Sequence, residues 1–377
     1  MEDKLKKLYI EPTSKCNLNC KMCFRNTWID EELGNMTMET FNNAINTMPS
    51  GVEKIFFGGM GEPLFHPNII EMVKIASSKV KEVELLTNGT LLNEEMSKKL
   101  LEAGLTMLWI SIDSLESEGY EKIRVNSKLD KIIANIKIFN KLREYNGESN
   151  KSKNNVKLGI AFVAMRSNIN QLEKMPLFCA IHGVSKVNVS NLLPSDERSL
   201  DDILYSRTLG VDTSSELMFN ILPEINIPIM DWNIQNVGKS MNKLLKSQVS
   251  SLSICNNKIS RKSNYCKFIE EGCSFIKYNG NVSPCMGVLH SSETYLFDKK
   301  RKVYHHSFGN VLDETLKNIW KKEEYCVFRE KVRKFNFSPC VICGGCENWK
   351  ENKEDCFGNS KPTCGACLWS EGIITCP

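Results

Sequence analysis

Residues 7–24 read KLYIEPTSKCNLNCKMCF. Lys7 to Ile10 form a short apolar strand, and the loop after it places Cys16, Cys20 and Cys23 within eight positions. Soft thiolates at this spacing suit an iron-sulfur cluster or zinc, and closed sites of either kind take four protein ligands. Three thiolates leave one metal position open to an outside ligand, which is a catalytic arrangement. The alternative is a structural zinc site completed by a distant residue.

Working outward, apolar strands recur at Glu53 to Phe57, Glu82 to Leu86, Met107 to Ile112, Val156 to Ala164 and Lys186 to Val189. Helical spacing fills the gaps. Phe41, Ala44, Ile45 and Met48 share one face, and Pro67 can open a helix bearing Ile69, Met72, Val73 and Ala76. Asn93 has the place of an N-cap, Leu129 to Leu142 mark one face of another helix, and Leu172, Met175, Phe178 and Ile181 that of a further one. Six strand-helix units predict a parallel sheet, with ligand-binding loops at the carboxyl ends of its strands. The polar stretch Glu144 to Asn155 reads as a surface loop.

Composition narrows the function. With 377 residues, 41% of them hydrophobic, the chain can bury a substantial core. An excess of 49 Lys and Arg over 45 Asp and Glu is too slight to make nucleic acid the expected partner. No apolar run approaches a membrane span, and the first residues do not read as a signal peptide, so a cytoplasmic protein without a membrane partner is expected. Against that background, 16 cysteines point to metal binding rather than disulfides. Thirteen fall in clusters, whereas Cys179, Cys255 and Cys326 stand alone.

The second strand runs into Gly58-Gly59-Met60-Gly61-Glu62-Pro63, the third into Thr87-Asn88-Gly89, and the fourth into Ser111-Ile112-Asp113 with Arg124 beyond it. Glycines admit close approach of backbone to a ligand, a carboxylate pairs with an ammonium, and a guanidinium binds a carboxylate bidentately. Taken singly, these residues could be turns, caps or surface charges. In this order, with the CxxxCxxC loop, they make the chain similar to the radical S-adenosylmethionine (SAM) enzymes over almost its whole length. The resemblance implies a 4Fe-4S cluster on Cys16, Cys20 and Cys23, and SAM held by Gly58, Gly59, Met60, Gly61, Glu62, Asn88, Ser111, Asp113 and Arg124. It also implies a partial (β/α)6 barrel like that of triosephosphate isomerase, and reductive cleavage of SAM to a 5'-deoxyadenosyl radical. Gly159 to Val163 and Val187 to Ser190 match the places that flank adenine. No catalytic acid or base is assigned.

Ten clustered cysteines remain: Cys266, Cys273, Cys285, Cys340, Cys343, Cys346, Cys356, Cys364, Cys367 and Cys376. Cys266, the stretch Gly280 to Cys285 and the connector from Gly309 to Trp320 resemble a SPASM domain, which carries two auxiliary 4Fe-4S clusters. The later spacings depart from that pattern, and eight ligands leave two surplus. By order, Cys266, Cys273, Cys285 and Cys356 belong to one cluster, and Cys340, Cys343, Cys346 and Cys376 to the other. Cys364 or Cys367 could replace Cys376, Cys273 could be an ordinary thiol, and CxxC pairs also make zinc ribbons. The expected domains are a core over 1–195, a linker with helix over 196–262 and an auxiliary domain over 263–377.

Among SPASM proteins, the ending from Glu354 to Pro377 looks like maturases associated with tungsten-cofactor oxidoreductases. The resemblance implies work on a partner enzyme or its cofactor, with electrons from a small reductant such as ferredoxin or flavodoxin. The first alternative is thioether or carbon-carbon crosslinking of a ribosomally made peptide. Against it stands the expectation that no leader-docking module precedes the cysteine loop, which begins by residue 16. The second alternative, an iron-sulfur scaffold or electron carrier, would not need the glycine turn, Asn88, Asp113 and Arg124 at successive strand ends. The five histidines show no metal-ligand spacing, and Trp232 and Trp349 read as core or pocket aromatics.

Overall fold

The computed structural model describes residues 4–149, 156–205, 265–343 and 346–377, with short pieces between 224 and 258. Six parallel strands follow one another across the sheet: β1 (Lys7–Ile10), β2 (Lys54–Phe57), β3 (Glu82–Thr87), β4 (Met107–Ser111), β5 (Lys157–Ala164) and β6 (Lys186–Asn191). Parallel neighbours need crossovers. These are α1 (Met38–Asn46), α2 (Ile69–Ser77), α3 (Glu94–Glu102), α4 (Ser117–Ile123) with α5 (Leu129–Ser149), and α6 (Met175–Ile181). Their apolar faces lie on the sheet: Phe41 and Ala44, Met72 and Val73, Leu100 and Leu101, Ile132 and Phe139 are all fully buried.

Local chemistry sets where the helices start. Thr37 accepts a hydrogen bond from the Thr40 amide and Asn93 from the Met96 amide, each satisfying a donor that a helix start leaves free. Pro67 lies one residue before the cap Asn68, so α2 begins at Ile69. Two expectations change. The stretch from Glu144, read as a loop, is helical through Ser149, because α5 continues past its apolar face; 150–155 lie outside the described residues. The face of Leu172, Met175, Phe178 and Ile181 is broken: Leu172 sits in a 3-10 turn, Ile169–Lys174, and Ile181 is 67% exposed at the end of α6.

The region after β6 holds a short helix, α7 (Glu197–Leu200), and in its described pieces a separate sheet of β7 (Glu224–Ile227), β8 (Ser251–Ile254) and β9 (Asn257–Lys258). Trp232 and Cys255 lie outside the described residues. Beyond it, β10 (Cys273–Ile276) pairs in parallel with β1, and β11 (Val282–Ser283) in antiparallel with β10. The sheet thus has eight strands in the order β11-β10-β1-β2-β3-β4-β5-β6. The cysteine-rich part therefore builds onto the barrel sheet, with Lys7 opposite Cys273 and Ile10 opposite Ile276. Its Ile276, Val282, Phe308, Ile319, Tyr325 and Val332 belong to the same core as the barrel helices. A hairpin of β12 (Ser292–Leu296) and β13 (Lys299–Val303) and the helix Glu323–Lys334 complete it. No helix of the described residues is long and apolar enough to cross a membrane.

Candidate functional site

The carboxyl ends of the barrel strands surround a cleft of about 290 Å³, the scale of a small-molecule site. Cys16, Cys20, Cys23, Gly59, Met60, Gly61, Glu62, Asn88, Ser111 and Arg124 all line it. The cysteine loop and the glycine turn are stitched together by backbone. The Glu62 amide donates to the Lys15 carbonyl at 2.8 Å, and a Cβ on Gly61 would fall 2.1 Å from the Thr13 carbonyl oxygen, so only glycine fits. Gly59 has φ +125°, outside the range that side chains tolerate, and Gly58 lies against the Phe56 ring. Arg25 braces the loop from within by donating to the Ser14 and Leu18 carbonyls.

Glu62 does not present a free carboxylate. It is 2% exposed and accepts from the Leu64 amide at 3.0 Å, the Thr87 hydroxyl at 2.6 Å and the Asn88 amide at 2.7 Å. Burial raises its pKa, with these three bonds pulling the other way. The carboxylate thus joins the ends of β2 and β3. Asn88 in turn donates to Asn17 at 2.9 Å and to the Cys16 sulfur at 3.8 Å.

Asp113 is fully buried behind the cleft. One oxygen accepts from the Val163 amide at 2.8 Å, the other from Arg124 Nε at 2.7 Å. The guanidinium then donates through Nη1 to the Cys20 sulfur at 3.9 Å. Although burial opposes the charged form, Asp113 and Cys20 raise the Arg124 pKa, so the cation stays beside the triad. Burial pushes the Cys20 thiol up to about 11 in spite of that cation. Ala161, Phe162, Val163, Asn188 and Ser190 complete the wall from β5 and β6.

The carboxyl-terminal thiols form two neighbourhoods, and neither follows sequence order. Cys266, Cys285, Cys364 and Cys367 face one another, since each of the first three has its ionisation opposed by others of this set as well as by burial. Burial pushes Cys266 up to about 12. The second set joins Cys340 to Cys346 and Cys356, with Cys343 at the far end of the four-residue helix Cys340–Cys343. Cys356, assigned by order to the first cluster, therefore belongs with Cys340. Cys376, assigned to the second, instead lines the barrel cleft beside Trp369. Cys273 packs in β10 among Tyr9, Phe56, Phe268 and Phe275. Residues 373–377 run along β6, where Thr375 bonds Ser190 and Val189, and the Pro377 main-chain oxygen accepts from Tyr9 at 2.8 Å.

The buried thiols Cys266, Cys285 and Cys364 ionise with difficulty unless a cation joins them, which fits a soft-metal cluster, whereas in the second set only Cys340 is buried. Among the described residues, no three metal-ligating side chains already converge closely enough to hold a single ion. Arg301 is buried between the two sets, with Cys364, Cys367 and Cys340 as its electrostatic neighbours, and its Nε has no hydrogen-bond partner. Phe24, next to the triad, meets Trp369 edge-on at 6.5 Å, and both rings line the barrel cleft as well as the cavity beside Cys285, Cys364 and Cys367.

Sequence reading missed Glu11, His290, Arg301 and Trp369. Glu11 ends β1 as Asn88 and Asp113 end theirs, so the strand-end argument could have found it. No local signal marks the other three, because their partners lie far away along the chain.

Comparison with known proteins identifies the family and the fold. The model of the radical SAM superfamily matches residues 10–147, and that of the SPASM iron-sulfur cluster-binding domain matches 266–347. The tungsten-containing aldehyde ferredoxin oxidoreductase cofactor-modifying protein of Pyrococcus furiosus is 31% identical over 99% of this chain and 97% of its own. An Fe-coproporphyrin III synthase of Methanosarcina barkeri is 25% identical over 96% of this chain and 87% of its own. Streptococcus suis SuiB bound to S-adenosylmethionine shares the fold at TM-score 0.55 and 15% identity, over 90% of this chain and 70% of that one. AnSMEcpe with bound AdoMet does so at 0.54 and 18%, over 98% and 93%. The chain belongs to the radical SAM superfamily, in the branch that carries a SPASM iron-sulfur domain and includes the Pyrococcus cofactor-modifying protein.

Proposed function

We propose that the chain cleaves SAM reductively and turns the resulting 5'-deoxyadenosyl radical on a hydrogen of a partner enzyme or its cofactor, in the maturation of a tungsten oxidoreductase. The observation that carries this reading is the 31% identity, over nearly the full length of both chains, to a protein named for modifying such a cofactor. A 4Fe-4S cluster bound by Cys16, Cys20 and Cys23 would supply the electron that breaks the carbon-sulfur bond. The buried Arg124, held by Asp113, supplies a fixed cation for the methionine carboxylate. Gly59 to Gly61 bring bare backbone to the methionine ammonium. Glu62 shapes that turn, its own oxygens being taken by Thr87, Asn88 and Leu64. Asn88 and Ser111 are placed for ribose hydroxyls, and Ala161 to Val163 for adenine.

Two auxiliary 4Fe-4S clusters would take Cys266, Cys285, Cys364 and Cys367 in one set and Cys340, Cys343, Cys346 and Cys356 in the other. Ferredoxin or flavodoxin is the reductant class that suits them. Neither nucleic acid nor a membrane is required as partner.

The test is anaerobic incubation of reconstituted protein with SAM, dithionite and either a tungsten oxidoreductase precursor or a set of short precursor peptides, followed by mass spectrometry. A mass change on the enzyme or its released cofactor, absent in Cys16→Ala, is expected. Loss of two hydrogens from a peptide at a crosslink would replace this reading with peptide modification. Absence of 5'-deoxyadenosine under all conditions would leave the electron-carrier alternative.

A further inference from the structure

Four charged groups are buried where the cysteine-rich part meets the end of β1. His290 donates through Nε2 to both oxygens of Glu11 at 3.0 Å, and its Nδ1 lies 3.0 Å from Glu31. Lys277 Nζ reaches the same Glu31 oxygen at 2.5 Å. His290 and Glu11 are 0% exposed, Lys277 7% and Glu31 9%. Trp28 stacks on the imidazole at 4.1 Å, and His305 faces Lys277 and Glu31 from outside the group. With an ionised carboxylate at each ring nitrogen, the doubly protonated imidazolium donates to both. The quartet is then neutral, whereas a neutral imidazole would leave one buried negative charge without a partner, an expensive state.

The quartet reaches the cleft through Glu11. Glu11 Oε1 accepts the Met60 amide at 3.3 Å, and the Glu11 side chain is the nearest neighbour that a Cβ on Gly59 would meet. Glu11 Oε2 takes the Tyr278 amide from the cysteine-rich part. The carboxylate orientation that shapes the glycine turn is therefore set by an imidazolium reaching across from the auxiliary domain.

We infer that His290 is a positioning residue for SAM: as an imidazolium it locks Glu11, Glu11 holds the Met60 amide, and the glycine turn keeps its binding shape. The inference rests on the proposed assignment of that turn to SAM. His290 has its pKa raised above the usual 6.5, since its bonds to the two carboxylates outweigh burial. A group so raised stabilises the folded arrangement fully below 6.5 and loses that contribution as pH rises through its folded value. Binding of SAM therefore weakens on the alkaline side.

The experiment is calorimetric titration of cluster-loaded protein with SAM from pH 6 to pH 9, on wild type and His290→Gln, with iron content measured in parallel. The amino group of SAM titrates in the same range, so the ratio of the two affinities at each pH is the readout. At pH 6 the variant should bind roughly tenfold more weakly, the scale of one lost charge-assisted contact. The ratio should move toward one as pH rises. A constant ratio, or equal affinities at pH 6, overturns the inference. If that variant does not fold, the same ratio measured on Glu11→Gln, which removes the carboxylate that His290 holds, takes its place, and a ratio independent of pH there also overturns the inference. Loaded wild type that binds no SAM at any pH would instead overturn the assignment of the turn itself.

Discussion

The triad loop and the carboxyl-terminal thiols gather the same kind of side chain by opposite construction. Cys16, Cys20 and Cys23 come from one eight-residue loop, and their grouping follows from covalent reach alone. Cys266, Cys285, Cys364 and Cys367 come from three separate stretches, and Cys356 crosses over to join Cys340 and Cys346. Spacing therefore groups thiols where they are near in sequence. Where the chain must fold back, it gives only the number of candidates.

The largest expected effect breaks the comparison at its local end. Replacing Cys16, Cys20 and Cys23 together by alanine should abolish 5'-deoxyadenosine formation and remove about four of roughly twelve irons per chain. The remaining irons should stay, because their ligands lie in other segments. SAM cleavage by the triple variant would move the active site elsewhere.

At the other end, the two thiol sets can be separated. Cys285→Ala with Cys367→Ala, and Cys340→Ala with Cys356→Ala, should each remove about four irons, while Cys273→Ala and Cys376→Ala should remove none. Iron and sulfide analysis with electron paramagnetic resonance reads the outcome. Loss of a cluster from Cys376→Ala would restore the allocation by sequence order.

A smaller effect is expected at Arg124, the distant residue that touches the local triad. Arg124→Ala removes a charge-assisted contact of about 1.5–3 kcal/mol, or roughly ten- to more than a hundredfold in SAM affinity. It also strands the buried Asp113, so the double variant with Asp113→Asn is the control that separates lost contact from lost fold. Wild-type affinity in the folded double variant would exclude Arg124 as a ligand.

The smallest effect concerns how the two regions are joined. Burial alone would raise the Glu31 carboxyl, but bonds from His290, Lys277 and the Ser291 amide hold it down to about 2, from 4.5. A carboxyl depressed in the folded state contributes stability fully present above pH 4.5 and lost as pH falls toward 2. The denaturation midpoint of Glu31→Gln should therefore lie below wild type at pH 6, with the gap narrowing by pH 3. A gap independent of pH would mean that Glu31 acts by packing alone.

Much of this molecule is written locally. The six strands, the helices Met38–Asn46, Ile69–Ser77 and Leu129–Ser149 and the Asn93 cap follow from periodicity and side-chain chemistry within a few residues, and the structure places each strand within two residues of its apolar run. The cleft's lining from Cys16 to Arg124 was legible too, because parallel strands deliver their carboxyl ends to one side of a sheet. Tertiary structure decided the rest. The pairing of β10 with β1, the partition of ten thiols and the approach of His290 to Glu11 all join residues more than 240 positions apart or thread several segments through one place. No local pattern records such a contact, since its energy comes from burial and charge balance that exist only after the chain has closed on itself. Glu62 shows the same division within one residue. The sequence supplied the carboxylate at the strand end, and the fold chose three of its own hydrogen-bond donors as its partners.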